Sequence, residues 1–287
     1  MTRQYPVFVL CGRDKERREL MKVHDPDGTV KVKALLPFLG RRVIDWQLDA
    51  LAASPFISSI YLLGLSQEDY ETDLPVQYIP CPLVSDVSQK LVIGLEYLNS
   101  RGENPDMIVI SSSDSPAVRT EEVDLFLSQL VKYKEYDFIL SLVPEHIGEQ
   151  EFPKSGRVVG RFVDHCVHPG ELYVLNPSAI REGEKVIEEL GRRRRKIDRQ
   201  AERISIAPMV RFIARRPKAW FKLLKFILGM AALHDAEIAF GRAFNCKVKG
   251  IIIPDAGFGM DMDLPQDYDR LAEYVGRQIS AGKMRSS

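Results

Sequence analysis

The feature that most restricts this chain is an alternation of two hydrophobic periods through its first half. Short β-rich runs at Pro6–Cys11, Ile57–Gly64, Val76–Ile79, Met107–Ser111 and Asp137–Val143 are separated by stretches with helical spacing. Val43, Trp46, Leu48 and Leu51 mark one such stretch. Val87, Leu91, Leu95 and Leu98 mark a second, and Val123, Phe126, Leu130 and Tyr133 a third. Strand side chains alternate between faces while helical ones return every three to four residues, so the two patterns exclude one another locally. Strands separated by helices pair through right-handed crossovers. The pattern therefore predicts an α/β protein with a Rossmann-like, mostly parallel sheet and helices on both faces. Thr120, ahead of Glu121 and Glu122, predicts a helix start with a hydroxyl N-cap and an acidic first turn.

Beyond the first half the pattern loosens. Arg157–Val163 and Glu171–Leu175 read as two further strands, and Pro177 opens a helix over Ile180–Leu190. After the basic run Arg192–Lys196 a largely helical stretch extends from about Ala201 to Asn245, with Pro217 as its break. Val248–Ile253 is a last strand, and a helix follows Pro265. No internal repeat or low-complexity linker divides the chain. The expectation is one domain over residues 1–287 with a helical insertion at 177–246.

Charge and thiol content narrow the function class. Forty Lys and Arg balance 40 Asp and Glu in 287 residues, which removes the electrostatic case for a general nucleic-acid binder. Cys11, Cys81, Cys166 and Cys246 are scattered with no Cys-x-x-Cys pair, the pattern of reduced thiols in a cytoplasmic protein. The apolar run after Arg3 is too short for an export signal. Trp220–Leu233 is interrupted by Lys222 and Lys225 and falls short of the ~20 residues that span a bilayer. Basic residues beside the aromatic helix at 211–233 allow weak contact with an anionic membrane surface, while a helix packed on the core or in a homodimer interface is the stronger reading. His165-Cys166-Val167-His168 has no second ligand pair elsewhere, so a zinc site is the weaker reading.

In an open parallel sheet ligands bind beyond the carboxyl ends of the strands, and three such junctions carry chemistry. Leu10-Cys11-Gly12-Arg13 opens a charged loop running to Lys33-Ala34-Leu35-Leu36-Pro37. Gly12 lets the backbone approach a ligand closely, and Arg13, Lys15, Arg17, Arg18, Lys22 and Lys33 are able to neutralise phosphates. In Ser113-Asp114-Ser115-Pro116, a carboxylate in a proline turn after a buried strand suits a divalent cation, or caps the turn. In Met260-Asp261-Met262-Asp263-Leu264-Pro265, two carboxylates alternate before a helix opened by proline. Together they form equipment for a nucleotide–magnesium complex at one sheet edge.

These segments resemble the nucleotidyltransferases of the molybdenum-cofactor guanylyltransferase-like type, which have the nucleotide-diphospho-sugar transferase fold. The resemblance rests on Phe8-Val9-Leu10-Cys11-Gly12-Arg13, on Lys33–Pro37 with Gly40–Asp45, on Ser113–Pro116 and on Met260–Tyr268, in the family's order. It implies a Mg2+-dependent transfer of a nucleoside monophosphate from a nucleoside triphosphate to a phosphorylated or hydroxylated small molecule, with release of pyrophosphate. It implies that Lys33 contacts the phosphates, that Asp114 and Asp263 (or Asp261) hold the metal, and that Leu10, Cys11, Gly12 and Arg13 line the nucleotide. The chain departs from the family in three places. Only the first glycine of the phosphate loop is kept. Lys90 stands where related members begin a helix with asparagine, and Pro169-Gly170-Glu171 stands for Gly-Gly-Asn. A glycosyltransferase using a nucleotide sugar, or a nucleotide-binding regulator with an eroded loop, are the competing readings.

Overall fold

Strand β1 (Tyr5–Leu10) carries Val7, Phe8 and Val9 with no exposed surface at all, the mark of a central strand covered on both faces. Its side chains separate as strand geometry demands. Val7 and Val9 pack with Ile44, Leu48 and Leu51 of helix α2 (Val43–Ala52) and Val123 and Phe126 of α4 (Thr120–Ser128). Phe8 faces the opposite layer with Leu91, Leu95 and Leu98 of α3 (Val87–Ser100). The computed structural model describes residues 3–12, 16–82, 86–183, 225 and 229–285.

The remaining strands of the main sheet are β4 (Ile57–Leu63), β5 (Val76–Ile79), β6 (Ile108–Ser112), β7 (Phe138–Pro144), β8 (Gly160–Arg161), β9 (Cys166–Leu175) and β10 (Val248–Ile252). Their order is β10-β7-β9-β6-β1-β4-β5, with β8 on β9. β9 runs antiparallel to β6, β7 and β8, and the other pairings are parallel. The mostly parallel sheet flanked by helices is thus the expected one. The reversed strand between β6 and β7 brings the start of β9 to the edge where its neighbours end: Leu172 pairs with Ser111, and Pro169 with Leu142.

Other departures from the sequence reading have local causes. The strand expected over Arg157–Val163 shrinks to Gly160–Arg161, because Gly156 takes φ +72° and Arg157 is drawn to acidic partners. Thr120 is the first helical residue of α4 and not its cap, and its hydroxyl donates to Ala50 O at 3.3 Å. Helix α1 (Glu19–His24) forms inside the charged loop by burying Leu20 and Met21. A hairpin of β2 (Pro37–Phe38) and β3 (Arg41–Arg42) turns through Leu39 and Gly40, both at positive φ. A short helix α5 (Glu145–Glu151) follows β7.

Of the expected insertion, residues 177–183 are helical and α6 (Leu233–Phe244) precedes β10. Helix α7 (Pro265–Ser280) closes the chain's ordered elements, with Pro265 in its first turn as expected. The basic run Arg192–Lys196, Pro217 and most of the amphipathic segment at 211–233 lie outside the described residues, as does Arg13. Among the described residues no helix is long and apolar enough to cross a membrane.

Candidate functional site

Two of the three junctions are anchored by buried apolar neighbours and the third by hydrogen bonds, and their charged side chains converge. Lys33 begins a 3-10 turn (Lys33–Leu35) whose Ala34 is buried, followed by buried Leu36 and Phe38. Val43 N donates to Leu36 O at 3.0 Å, and Trp46 Nε1 to Phe38 O at 3.1 Å, tying the turn and hairpin onto α2. At the last junction Met260 and Met262 are fully buried in a cluster with Leu36, Phe38, Leu271 and Tyr274. Alternation then turns Asp261 and Asp263 the other way. Asp267 in the first turn of α7 accepts from Leu264 N at 2.9 Å and Asp263 N at 3.3 Å, fixing the backbone that presents Asp263.

Asp114 follows β6 in a turn stitched by neighbours. Ser113 Oγ donates to Leu10 O at 2.9 Å, and buried Gln47 bridges Ser111 Oγ at 2.5 Å and Ser115 N at 3.3 Å. Met262 N donates to Asp114 O at 2.9 Å, so the two carboxylate loops are joined through their main chains.

The result is a convergence of residues far apart in sequence. Lys33 Nζ lies 2.5 Å from Asp114 Oδ2 and 2.5 Å from Asp263 Oδ1, with its side chain only 15% exposed. Burial alone would lower the Lys33 pKa, but the two carboxylates outweigh it and hold the ammonium above its ordinary value. The same ammonium, with Arg18 3.6 Å away, draws Asp263 below the usual carboxylate range against the cost of burial. Asp261 takes a different partner: the Arg157 guanidinium pairs with its carboxylate and also donates to Asp261 O at 3.1 Å. Burial, together with Asp114 and Asp263, still pushes Asp261 up to about 6, against the pull of Arg157. Carboxylate oxygens of Asp114, Asp261 and Asp263 lie within 4.8 Å of one another.

Two residues of this site were not assigned a role by sequence. Glu171 enters from reversed strand β9, 4.0 Å from Arg157, and burial plus the charges of Asp261 and Asp114 raise its pKa far above normal. Arg157 was read as the start of a strand, whereas it sits in the irregular segment ahead of β8, and nothing in that run marks it as a partner of Asp261.

The nucleotide-side segment is also shaped. Cys11 N donates to Leu63 O at 2.9 Å, and Gly64 turns away at φ +103°, where a Cβ would lie 2.3 Å from Cys11 O. Only glycine avoids both the strain and the clash there. Lys90 Nζ donates to Cys11 O at 2.9 Å, directly beneath exposed Gly12. Leu10 is half-buried, whereas Cys11 is enclosed, and burial pushes its thiol up to about 12. A neutral buried thiol is a packing group, not a nucleophile. His165, Cys166 and His168 do not form a metal cluster with any described His, Cys, Asp or Glu. His168 is buried where Gly148 and Gly259 leave room for its ring.

A second charged cluster lies on neighbouring loops. Arg119 pairs with Asp255 and with Glu122 (3.2 Å), and Tyr274 Oη donates to Asp255 at 3.5 Å. Burial, and the Asp255 carboxylate beside it, raise the Glu122 pKa well above normal.

Comparison with solved structures recovers the architecture across nearly the whole chain. A hypothetical transferase from Thermus thermophilus superposes with a TM-score of 0.68 at 22% identity, covering 92% of this chain and 100% of that one. The likeness establishes the fold. CMP:2-keto-3-deoxy-manno-octonic acid synthetase, solved with CTP, matches at 0.58 and 9% identity over 96% of this chain and 99% of that one. A nucleotidyl transferase from Methanothermobacter matches at 0.52 and 12% over 96% and 99%. No protein-family model matches the chain, and no curated protein matches it in sequence. The sheet and its flanking helices are those of the nucleotide-diphospho-sugar transferase fold.

Proposed function

We propose that this protein is a nucleotidyltransferase: an acceptor oxygen attacks the α-phosphorus of a nucleoside triphosphate, the bond to the bridging oxygen breaks, and pyrophosphate leaves. The observation that carries the reading is the meeting of Lys33 with Asp114 and Asp263 at the carboxyl edge of the sheet. That three segments supply these groups, on a fold shared with named nucleotidyl transferases, supports phosphate chemistry over a solvated charged surface.

Magnesium fits the donor set. The donors are all carboxylate oxygens, which suit a hard divalent ion, and among the described residues Asp114 Oδ1 is buried without a hydrogen-bond partner. Asp114 and Asp263 would hold the ion, with Asp261 turned toward Arg157. When bound, the ion would supply Lewis-acid polarisation of the triphosphate.

The chain's own residues do the positioning. Leu10, Cys11 and Gly12 form the floor for base and ribose, held level by the Lys90 contact to Cys11 O. Lys33, on a short rigid turn, neutralises phosphoryl oxygens as charge builds on them, an effect that needs orientation more than a protein nucleophile. Arg157 pairs with Asp261 and Glu171 lies beside it, and these two residues are the candidates for contact with the acceptor.

The test is a pyrophosphate-release screen with Mg2+, over four nucleoside triphosphates crossed with sugar phosphates, polyol phosphates and cofactor precursors. Acceptor-dependent pyrophosphate release is expected. Consumption of a nucleotide sugar in a parallel arm, with no pyrophosphate from any triphosphate, would replace this reading with glycosyl transfer. Nucleotide binding without turnover in any arm would replace it with a regulatory protein.

A further inference from the structure

The position of Lys33 carries a consequence for the order in which ligands enter, and it deepens the nucleotidyltransferase reading on which it rests. Its ammonium lies between Asp114 and Asp263, 2.5 Å from an oxygen of each, so a divalent ion held by those same two oxygens would collide with it. Both cannot be there. We propose that Lys33 is the resident counter-cation of this site and that a divalent ion must exchange with it, so that ion and nucleotide bind together and neither binds well alone.

The physical argument is one of charge balance in a half-closed space. An ion entering without nucleotide displaces the ammonium from two carboxylates and leaves it only 15% exposed with those two ion pairs broken. Arg157 is committed to Asp261, and Glu171 lies beyond it, so the nearby acids offer Lys33 no equivalent replacement. A triphosphate provides that replacement. Nucleotide arriving without the ion meets a lysine already held by two carboxylates, whose negative charge opposes its phosphates. Each ligand therefore relieves the penalty of the other, which is a reciprocal coupling between two binding events.

The experiment is Mn2+ binding to nucleotide-free protein, followed by electron paramagnetic resonance and calorimetry, so that no turnover is required. Lys33→Met should bind Mn2+ at least tenfold more tightly than the wild type. Lys33→Gln, of similar length and able to hydrogen-bond a carboxylate, should show the same direction and serves if Lys33→Met does not fold. The gain should vanish in Lys33→Met with Asp263→Asn, which places the ion at these residues. In wild type, adding a non-hydrolysable nucleoside triphosphate analogue should tighten Mn2+ binding, an effect lost in Lys33→Met. Equal or weaker Mn2+ binding by both Lys33 variants would overturn the exchange, as would a gain that survives Asp263→Asn. Because the Mn2+ comparison between wild type and the Lys33 variants is made first on nucleotide-free protein, absence of nucleotidyl transfer would leave that result standing. The exchange could likewise fail while pyrophosphate release is observed.

Discussion

Two clusters of acids and cations sit on neighbouring loops of this molecule, and they are built to different ends. Around Arg119, the guanidinium bridges Asp255 and Glu122, and Tyr274 closes the group by donating to Asp255. Around Lys33, a single flexible ammonium spans two carboxylates and a third acid is held aside by Arg157; among the described residues each cluster keeps one buried carboxylate oxygen without a hydrogen-bond partner, Asp114 Oδ1 here and Glu122 Oε2 there. A planar guanidinium makes several directed bonds that are not readily exchanged, whereas an ammonium is a compact charge on a flexible stem. The first cluster ties a loop to α4. The second holds a cation that an incoming ligand can replace.

Breaking the Lys33 cluster should therefore injure chemistry, and breaking the Arg119 cluster should injure folding. Lys33→Ala is expected to slow turnover by about a hundred- to a thousandfold, or ~3–4 kcal/mol in the barrier, by analogy with losing one preorganised charge stabiliser. Steady-state kinetics beside a thermal melt check this; a wild-type rate would detach Lys33 from catalysis. Arg119→Met should cost about 3 kcal/mol of stability, since it removes the cation of half-buried Asp255 and the hydrogen-bond donor of buried Glu122. Denaturant unfolding measures that loss, while the turnover of the folded fraction should stay within about tenfold of wild type.

A finer test uses pH. Glu122 has a raised pKa in the folded chain, so the native state holds its proton where the unfolded chain has released it. Stability from this group is accordingly full below its unfolded value of about 4.5 and falls as pH rises through the window up to its folded value, by at most ~1.4 kcal/mol per pH unit. Asp255 behaves oppositely: its lowered pKa contributes stability above its unfolded value that is lost on acidification. Glu122→Gln cannot titrate and should flatten the alkaline side of the curve alone. An unchanged slope would show that Glu122 carries its charge at neutral pH. The smallest effect is expected at Arg18, whose side chain is 53% exposed and 3.6 Å from Asp263. Arg18→Ala should alter stability by less than ~1 kcal/mol, which thermal unfolding would register as almost no shift.

How much of this was readable from the chain depends on whether a feature is set by local pattern or by distant partners. The strands Tyr5–Leu10, Ile57–Leu63 and Ile108–Ser112 and the helices between them were legible because period and burial coincide along each segment. The direction of β9 was not, because an alternating run looks alike whichever way it pairs. Helix α1 was hidden by the charges around Leu20 and Met21. Lys33, Asp114 and the Asp261–Asp263 pair were picked out by their places after strands and by family likeness. That the two aspartates take different partners was out of reach, since Arg157, 104 residues away, is what pairs with Asp261. Glu171 was read as the first residue of a strand and as a departure after Pro169-Gly170, with nothing to say that the strand runs reversed and delivers it beside Arg157.

The amide of Met262 donating to the carbonyl of Asp114 has a reach beyond its 2.9 Å. It makes the separation of the two acids a property of the chain's scaffold, set before any side chain chooses a rotamer. Helix α7, which begins just after Asp263, thereby acts as a lever on both carboxylates at once. Anything that shifts that helix, whether a bound partner or a substitution in its apolar face, would retune the whole cation seat in concert and spare neither acid.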